Sequence, residues 1–148
     1  MSRLYDNPFY QKVFYYRFSI DTGTGHACKN IMQHLFAAEN LTVNTKLYLD
    51  FLRTKVSKKV DNEDFFYGVY MLVRSDFGIL VEKFEALNED TGIFEEFMPE
   101  DAHQMIKEKK FFNPFNGRAL TDEETENHLR LYFTPTTAFI KSLKKLDI

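Results

Sequence analysis

The sequence has no tryptophan, a single cysteine and few helix breakers, with four prolines and six glycines among 148 residues. Because Cys28 has no second cysteine to pair with, an intramolecular disulfide is excluded and a reducing, cytoplasmic setting is expected. No uninterrupted apolar run approaches the roughly 18 residues of a membrane span, and the N-terminus has no apolar core of signal-peptide length. The sequence therefore predicts an intracellular protein that does not act at a membrane.

Aromatic residues are abundant, with 16 phenylalanines and 8 tyrosines. The apolar share of 44% and the charged share of 28% are typical of a globular chain rather than a disordered one. A chain of this length fits one domain, which we expect to span residues 1–148. One core of this size cannot easily bury so many rings, so some are expected on a surface that meets a partner.

Charge is distributed unevenly along the chain. Residues 1–60 carry a net charge of +5, residues 61–101 carry −10, and residues 102–148 carry +2. A basic first part and an acidic middle are complementary surfaces, which can pair within the monomer, across an oligomer or with outside partners.

Helix-start signals recur and predict a mainly α fold, a single compact domain of about seven helices. The candidate N-caps are Asn7 (before Pro8), Thr24 or Gly25, Asn44, Asp61 or Asn62, and Thr121. Segment 9–20 follows the first cap and has apolar residues at helical spacing. It is also rich in aromatics and partly alternating, so a strand there competes with the helix.

The strongest periodicity places apolar residues at alternating spacings of four and three. It comprises Phe66, Tyr70, Val73, Phe77, Leu80, Phe84 and Leu87. This pattern favours one long helix, or two helices in register. The alternative is an α+β fold with an antiparallel meander at 65–98, with turns at "RSDFG" and "NEDTG".

The last third of the chain carries three further helix signals. Pro99 opens a helix with acids early and lysines late, and 111–120 is predicted to be a loop because it contains Asn-Pro and Asn-Gly. Thr121 and Glu124 form a capping box before a helix that is expected to continue to Phe133. Thr134-Pro135 ends that helix and starts the final one.

The stretch "DTGTGHACK" is a candidate anion site. A helix capped by Thr24 or Gly25 has unpaired backbone N–H groups in its first turn, and these attract anions. Lys29 in that turn opposes the helix dipole, which suggests a negative group nearby. The candidate residues are Gly23, Thr24, Gly25, His26 and Lys29. Neither known phosphate-loop motif is met, and a simple cap is the favoured interpretation.

A basic run is the candidate nucleic-acid site. Arg53, Lys55, Lys58 and Lys59 occur with no acid among them, and nearby exposed rings would stack on bases.

Catalytic and metal signals are weak. The four histidines are scattered and make no pair at helical spacing, so no metal and no cofactor is expected. Cys28 lies on the apolar stripe of its helix and is predicted to be a core residue rather than a nucleophile. The protein is therefore expected not to be an enzyme.

The leading functional hypothesis is a small non-enzymatic interaction protein that binds another macromolecule through an aromatic and charged surface. The expected partner is another protein. Its short, cap-rich composition is similar in style to that of small phage-encoded accessory, assembly or host-inhibiting proteins. The alternatives are a nucleic-acid-binding protein that uses the basic run 53–59, and a phosphate-ligand protein or enzyme at the Gly23–Lys29 loop.

Overall fold

The computed structural model describes residues 6–11 and 22–145, which form a mixed α+β fold. The helices are α1 (Gly23–Ala37), α2 (Leu49–Thr54), α3 (Asn62–Val73), α4 (Pro99–Glu108), α5 (Asp122–His128) and α6 (Thr137–Lys145). The strands are β1 (Leu47–Tyr48), β2 (Leu80–Asn88), β3 (Ile93–Phe97) and β4 (Leu129–Pro135), in an antiparallel sheet of order β1-β4-β2-β3. The prediction of a mainly α fold is therefore wrong.

The chain divides into two compact units. Unit 1 comprises Met1–Val81 and Phe133–Ile148, and unit 2 comprises Glu82–Tyr132. The single domain predicted over 1–148 stays a prediction, and one cooperative unfolding transition would support it. Within the part of the chain that the structure describes, no helix is long and apolar enough to cross a membrane.

Unit 1 is built on α1 and α3, which pack closely against each other. The apolar stripe expected on α1 is buried and includes Cys28, Ile31, Met32 and Leu35. The cap of α1 differs from the prediction, since the Thr22 hydroxyl accepts a hydrogen bond from the Gly25 N–H and the helix begins at Gly23.

The first and last predicted helices of unit 1 are partly described. The Asn7 Oδ1 accepts from the backbone N–H of Phe9 at 2.8 Å, so the predicted cap is confirmed, and residues 8–11 are helical. The rest of the segment predicted over 9–20 lies outside the described residues. In α6, Phe139 is buried and Lys141 is exposed, as expected from the sequence.

The predicted long helix over 66–87 is wrong beyond α3. The helix ends at Val73, and the chain then turns towards β2 at Gly78. The φ of Gly78 is left-handed, at +63°, and its N–H donates to the Arg74 carbonyl at 2.7 Å. β2 and β3 follow and pair antiparallel, from Phe84 opposite Phe97 to Asn88 opposite Ile93. The meander alternative is correct for these two strands, but α3 occupies the start of its range.

Two other helix predictions are wrong. Asn44 caps no helix, because it lies in a turn in which the Thr42 N–H donates to the Thr45 hydroxyl, and α2 begins only at Leu49. The capping box of Thr121 and Glu124 is confirmed, but α5 ends at His128 and the chain continues as β4. β4 lies between β1 and β2, so pairing on both sides stabilises a strand there.

Unit 2 packs α4 against the β2–β3 hairpin. Its buried core comprises Phe84, Ala86, Phe97, Ala102 and Met105. The predicted helix start at Pro99 and the loop at 111–120 are both confirmed. The Asn113 amide donates to the Leu87 carbonyl at 2.9 Å and fixes that loop to the hairpin.

Candidate functional site

The outward side of α3 carries three exposed aromatic rings. Phe66, Tyr67 and Tyr70 are 43%, 58% and 40% exposed, whereas the opposite side buries Phe65, Gly68, Val69 and Leu72. α3 is thus apolar around most of its circumference, which is typical of a helix buried on all sides. In the described structure only one side is buried, and we call Phe66, Tyr67 and Tyr70 the aromatic face.

This aromatic face adjoins a group of acids. The Asp61 side chain caps α3 by accepting from the Asp64 N–H at 2.8 Å, and Glu63 and Asp64 occupy the first turn. Carboxylates are stable there because they interact favourably with the helix dipole. The Tyr67 hydroxyl donates to Glu63 Oε1 at 3.3 Å, so ring and carboxylate are in direct contact. The surface therefore combines aromatic area with negative charge.

Tyr70 is the ring of the aromatic face with the strongest support from the core. Its ring meets the buried Phe133 ring edge to face at a centroid distance of 5.8 Å, within unit 1. Such pairs contribute about 0.5–1.5 kcal/mol beyond area burial. Phe66 and Tyr67 are therefore the better positions for variants that alter the surface and spare the core.

The predicted anion-site residues Gly23, Thr24, Gly25, His26 and Lys29 all lie in the first two turns of α1. A carboxylate of the chain itself is nearby, since the Thr24 hydroxyl donates to Asp64 Oδ1 at 3.3 Å. A Cβ on Gly23 would overlap the same carboxylate, so a larger residue there would require the Asp64 side chain to move. Asp64 thus places a negative charge at the start of α1, in contact with Thr24. The anion site stays a prediction, and a bound anion would have to compete with Asp64.

The structure separates the four predicted nucleic-acid residues into different environments. Arg53 is half-buried and donates to the carbonyls of Ser57 and Val60 and to the side chain of Asn62. Its guanidinium therefore holds the turn that leads into α3. Lys55 lies over the Phe51 ring at 5.1 Å, and Lys58 and Lys59 are exposed.

A groove of about 330 Å³ opens beside this basic run, between the end of α1, residues 40–48 and α2. Its walls include His34, Tyr48 and Phe51, and the rings of His34 and Phe51 meet edge to face at 5.4 Å. Partial burial lowers the pKa of His34 below its usual 6.5, and the nearby Lys55 charge lowers it further. The His34 ring is therefore neutral at pH 7.

Cys28 has no catalytic environment. It is fully buried, its Sγ lies 3.3 Å from the Gly68 carbonyl and donates to it, and burial raises its pKa to about 12. Because the thiolate is the reactive form, this thiol is inert in the folded protein. Its predicted position in the core is confirmed.

Unit 2 contains a charged cluster in which Glu89 joins Glu124 and His128, a pair that helical spacing alone places on one face of α5. The ligand atoms of Glu89, Glu124 and His128 lie within 4.8 Å of one another, as in a metal site, and His128 Nδ1 is buried without a hydrogen-bond partner. The guanidinium of Arg118, however, donates to both carboxylates. A guanidinium between two carboxylates already supplies the positive charge that a metal ion would bring.

Comparisons of the chain with protein-family models, with curated proteins and with solved structures gave no match. The sequence did indicate that some rings would be exposed, but it did not identify which ones. The groove at Phe51 was missed because its walls come from three separate segments.

Proposed function

We propose that the protein is a non-enzymatic interaction protein that binds a partner protein through the aromatic face of α3. The observation that carries this proposal is the exposure of Phe66, Tyr67 and Tyr70 on one side of a single helix. Exposed tyrosine and phenylalanine on a rigid helix give large contact area at low entropic cost, which is why aromatic residues are enriched in interfaces.

The charge beside the aromatic face specifies the kind of partner. Asp61, Glu63 and Asp64 lie at the start of the same helix, within unit 1. Complementary potentials steer association and exclude wrong partners. The partner therefore presents apolar side chains together with lysine or arginine. A reducing, cytoplasmic setting, suggested by the free thiol of Cys28, belongs to the same proposal.

The test compares variants within unit 1. A double variant, Phe66→Gln with Tyr67→Gln, removes the two most exposed rings of the aromatic face and should leave folding intact. If either ring is a binding hot spot, partner affinity should fall by about 2 kcal/mol or more. The matched control is Val43→Gln, which makes the same kind of change at an exposed apolar residue outside α3.

The measurement has two stages. A partner captured by the wild-type protein is first identified, and its affinity for the three purified proteins is then measured by calorimetry. Equal binding by the double variant and the wild type would refute the proposal. Sedimentation that shows the wild type self-associating, and the double variant not, would assign the aromatic face to a second copy instead.

A further inference from the structure

The groove beside Phe51 has the size of a small-molecule site. Ligand pockets typically have volumes of about 300–1,000 Å³, and this groove, at about 330 Å³, lies at the lower end. A helix or strand of a partner protein is too bulky for it. One ring system with its substituents fits, so the size points to one compact ligand unit rather than to an element of a folded partner protein.

The walls of the groove favour an aromatic ligand. His34, Tyr48 and Phe51 contribute three rings, Leu41 and Leu47 add apolar area, and Phe51 remains 41% exposed. Bases stack on aromatic side chains whatever their identity. Asn40 also lines the groove, and an asparagine amide matches the donor and acceptor pattern of a purine edge.

The charge at the groove favours an anion. The Lys55 ammonium lies 5.1 Å from the centroid of the Phe51 ring, which forms part of the wall. Among the described residues that line the groove there is no carboxylate. An ammonium beside an aromatic wall is positioned to bind a phosphate attached to a stacked ring.

We propose that this groove binds a nucleotide, with the base against Phe51 and Tyr48 and the phosphate at Lys55. The nucleotide is either free or one unit of a single strand, since both present the same ring and phosphate. This site is separate from the aromatic face of α3. Lys58 and Lys59, exposed in the turn after Lys55, would contact further phosphates only if the ligand is a strand.

The experiment titrates isotopically labelled protein with adenosine monophosphate and follows the amide and His34 ring resonances by NMR. We expect shifts confined to the groove, and weaker binding of adenosine and of inorganic phosphate when each is added alone. Lys55→Gln should weaken binding about tenfold, because it removes one charge-assisted contact. Phe51→Leu should weaken it as well, by removing the stacking surface. The matched control, Lys58→Gln, should leave binding of the mononucleotide unchanged.

A second arm separates the two sources of the ligand. If a short oligothymidylate binds far more tightly than thymidine monophosphate, and Lys58→Gln weakens only the oligonucleotide, the ligand is a strand. Equal affinities assign a free nucleotide. The proposal is overturned if neither ligand shifts the groove resonances at millimolar concentration. It is also overturned if octanoate binds more tightly than the nucleotides, or if Lys55→Gln and Lys58→Gln weaken mononucleotide binding equally.

Discussion

Gly68 of α3 lies directly against Ala27 of α1, so that a Cβ atom on Gly68 would be 2.7 Å from the Cβ of Ala27. Real side chains do not approach so closely, so a residue without a Cβ is required at this crossing. The contact also places the Gly68 carbonyl 3.3 Å from the Cys28 thiol that donates to it. The pairing of α1 and α3 therefore depends on a glycine within a helix, where glycine is otherwise unfavourable.

We predict that Gly68→Ala lowers the free energy of unfolding by about 1–3 kcal/mol, the usual cost of overpacking a core. The higher helix propensity of alanine, worth up to about 1 kcal/mol, acts in the opposite direction. Chemical denaturation measures the difference. The double variant Gly68→Ala with Ala27→Gly moves the methyl group to the other helix and should recover part of the loss. A stabilised single variant would contradict the close packing.

Local signals in the sequence predicted the elements that depend on local chemistry. Three helix starts were predicted in this way, at the Asp61 cap, at Pro99 of α4 and at the capping box of Thr121. Each depends only on hydrogen bonds or backbone angles of residues that are close in the sequence. The spacing of Phe66 and Tyr70 was also a genuine helical pattern. This spacing predicted the helix but not which of its sides is buried. α3 has apolar residues around most of its circumference, and only the contact with α1 decides which side is buried.

The elements that were missed depend on distant pairing. β4 follows α5 directly in the sequence, so the sequence predicted that the helix would continue through it. The segment is a strand because it pairs with β1 on one side and β2 on the other. Likewise, the groove is lined by His34 and Phe51, which are separated by a loop in the sequence. Asp64 of α3 accepts a hydrogen bond from Thr24 of α1. Spacing within one segment contains no information about such contacts.

Cys28 provides a second prediction, on reactivity. With a pKa raised to about 12 by burial, the thiol should not react with a disulfide reagent at pH 8 while the protein is folded. Denaturant should expose one reactive thiol per chain. As a control, Ser75→Cys adds a cysteine at an exposed position and should react at once, leaving Cys28 slow. Rapid reaction of the native wild type would show that α1 and α3 separate readily.

Asp64 provides a third prediction, on the start of α1. If an anion binds at Gly23–Lys29, it competes with the carboxylate that accepts from the Thr24 hydroxyl. We therefore expect millimolar phosphate to raise the melting temperature of Asp64→Asn more than that of the wild type, with chloride at equal ionic strength as the reference. Lys29→Ala in the same background should abolish the gain. Melting temperatures that phosphate leaves unchanged in both proteins would show that the helix start binds no anion, and equal rises would show that Asp64 does not compete for the site.

Arg118 provides a fourth prediction, on acid stability. Its guanidinium donates to Glu89 and Glu124, and these hydrogen bonds lower the pKa of Glu89. The hydrogen bond from Arg118, together with the one from the Thr121 backbone N–H, lowers the pKa of Glu124 from 4.5 to about 2. Because the folded-state pKa of Glu124 lies below its unfolded value, the ionised pair stabilises the fold above pH 4.5. This contribution is lost as pH falls through about 2.

Replacing Arg118 with glutamine should therefore raise the pKa of Glu124 toward 4.5, as measured by NMR titration of the carboxyl carbons. The variant should be less stable than the wild type at pH 7, and the difference should shrink as pH falls from 4.5 toward 2. Arg74→Gln is the matched control, since Arg74 pairs with Asp76 in unit 1 and should leave Glu124 unchanged. An unshifted Glu124 in Arg118→Gln would mean that the cap at Thr121, not the guanidinium, lowers its pKa.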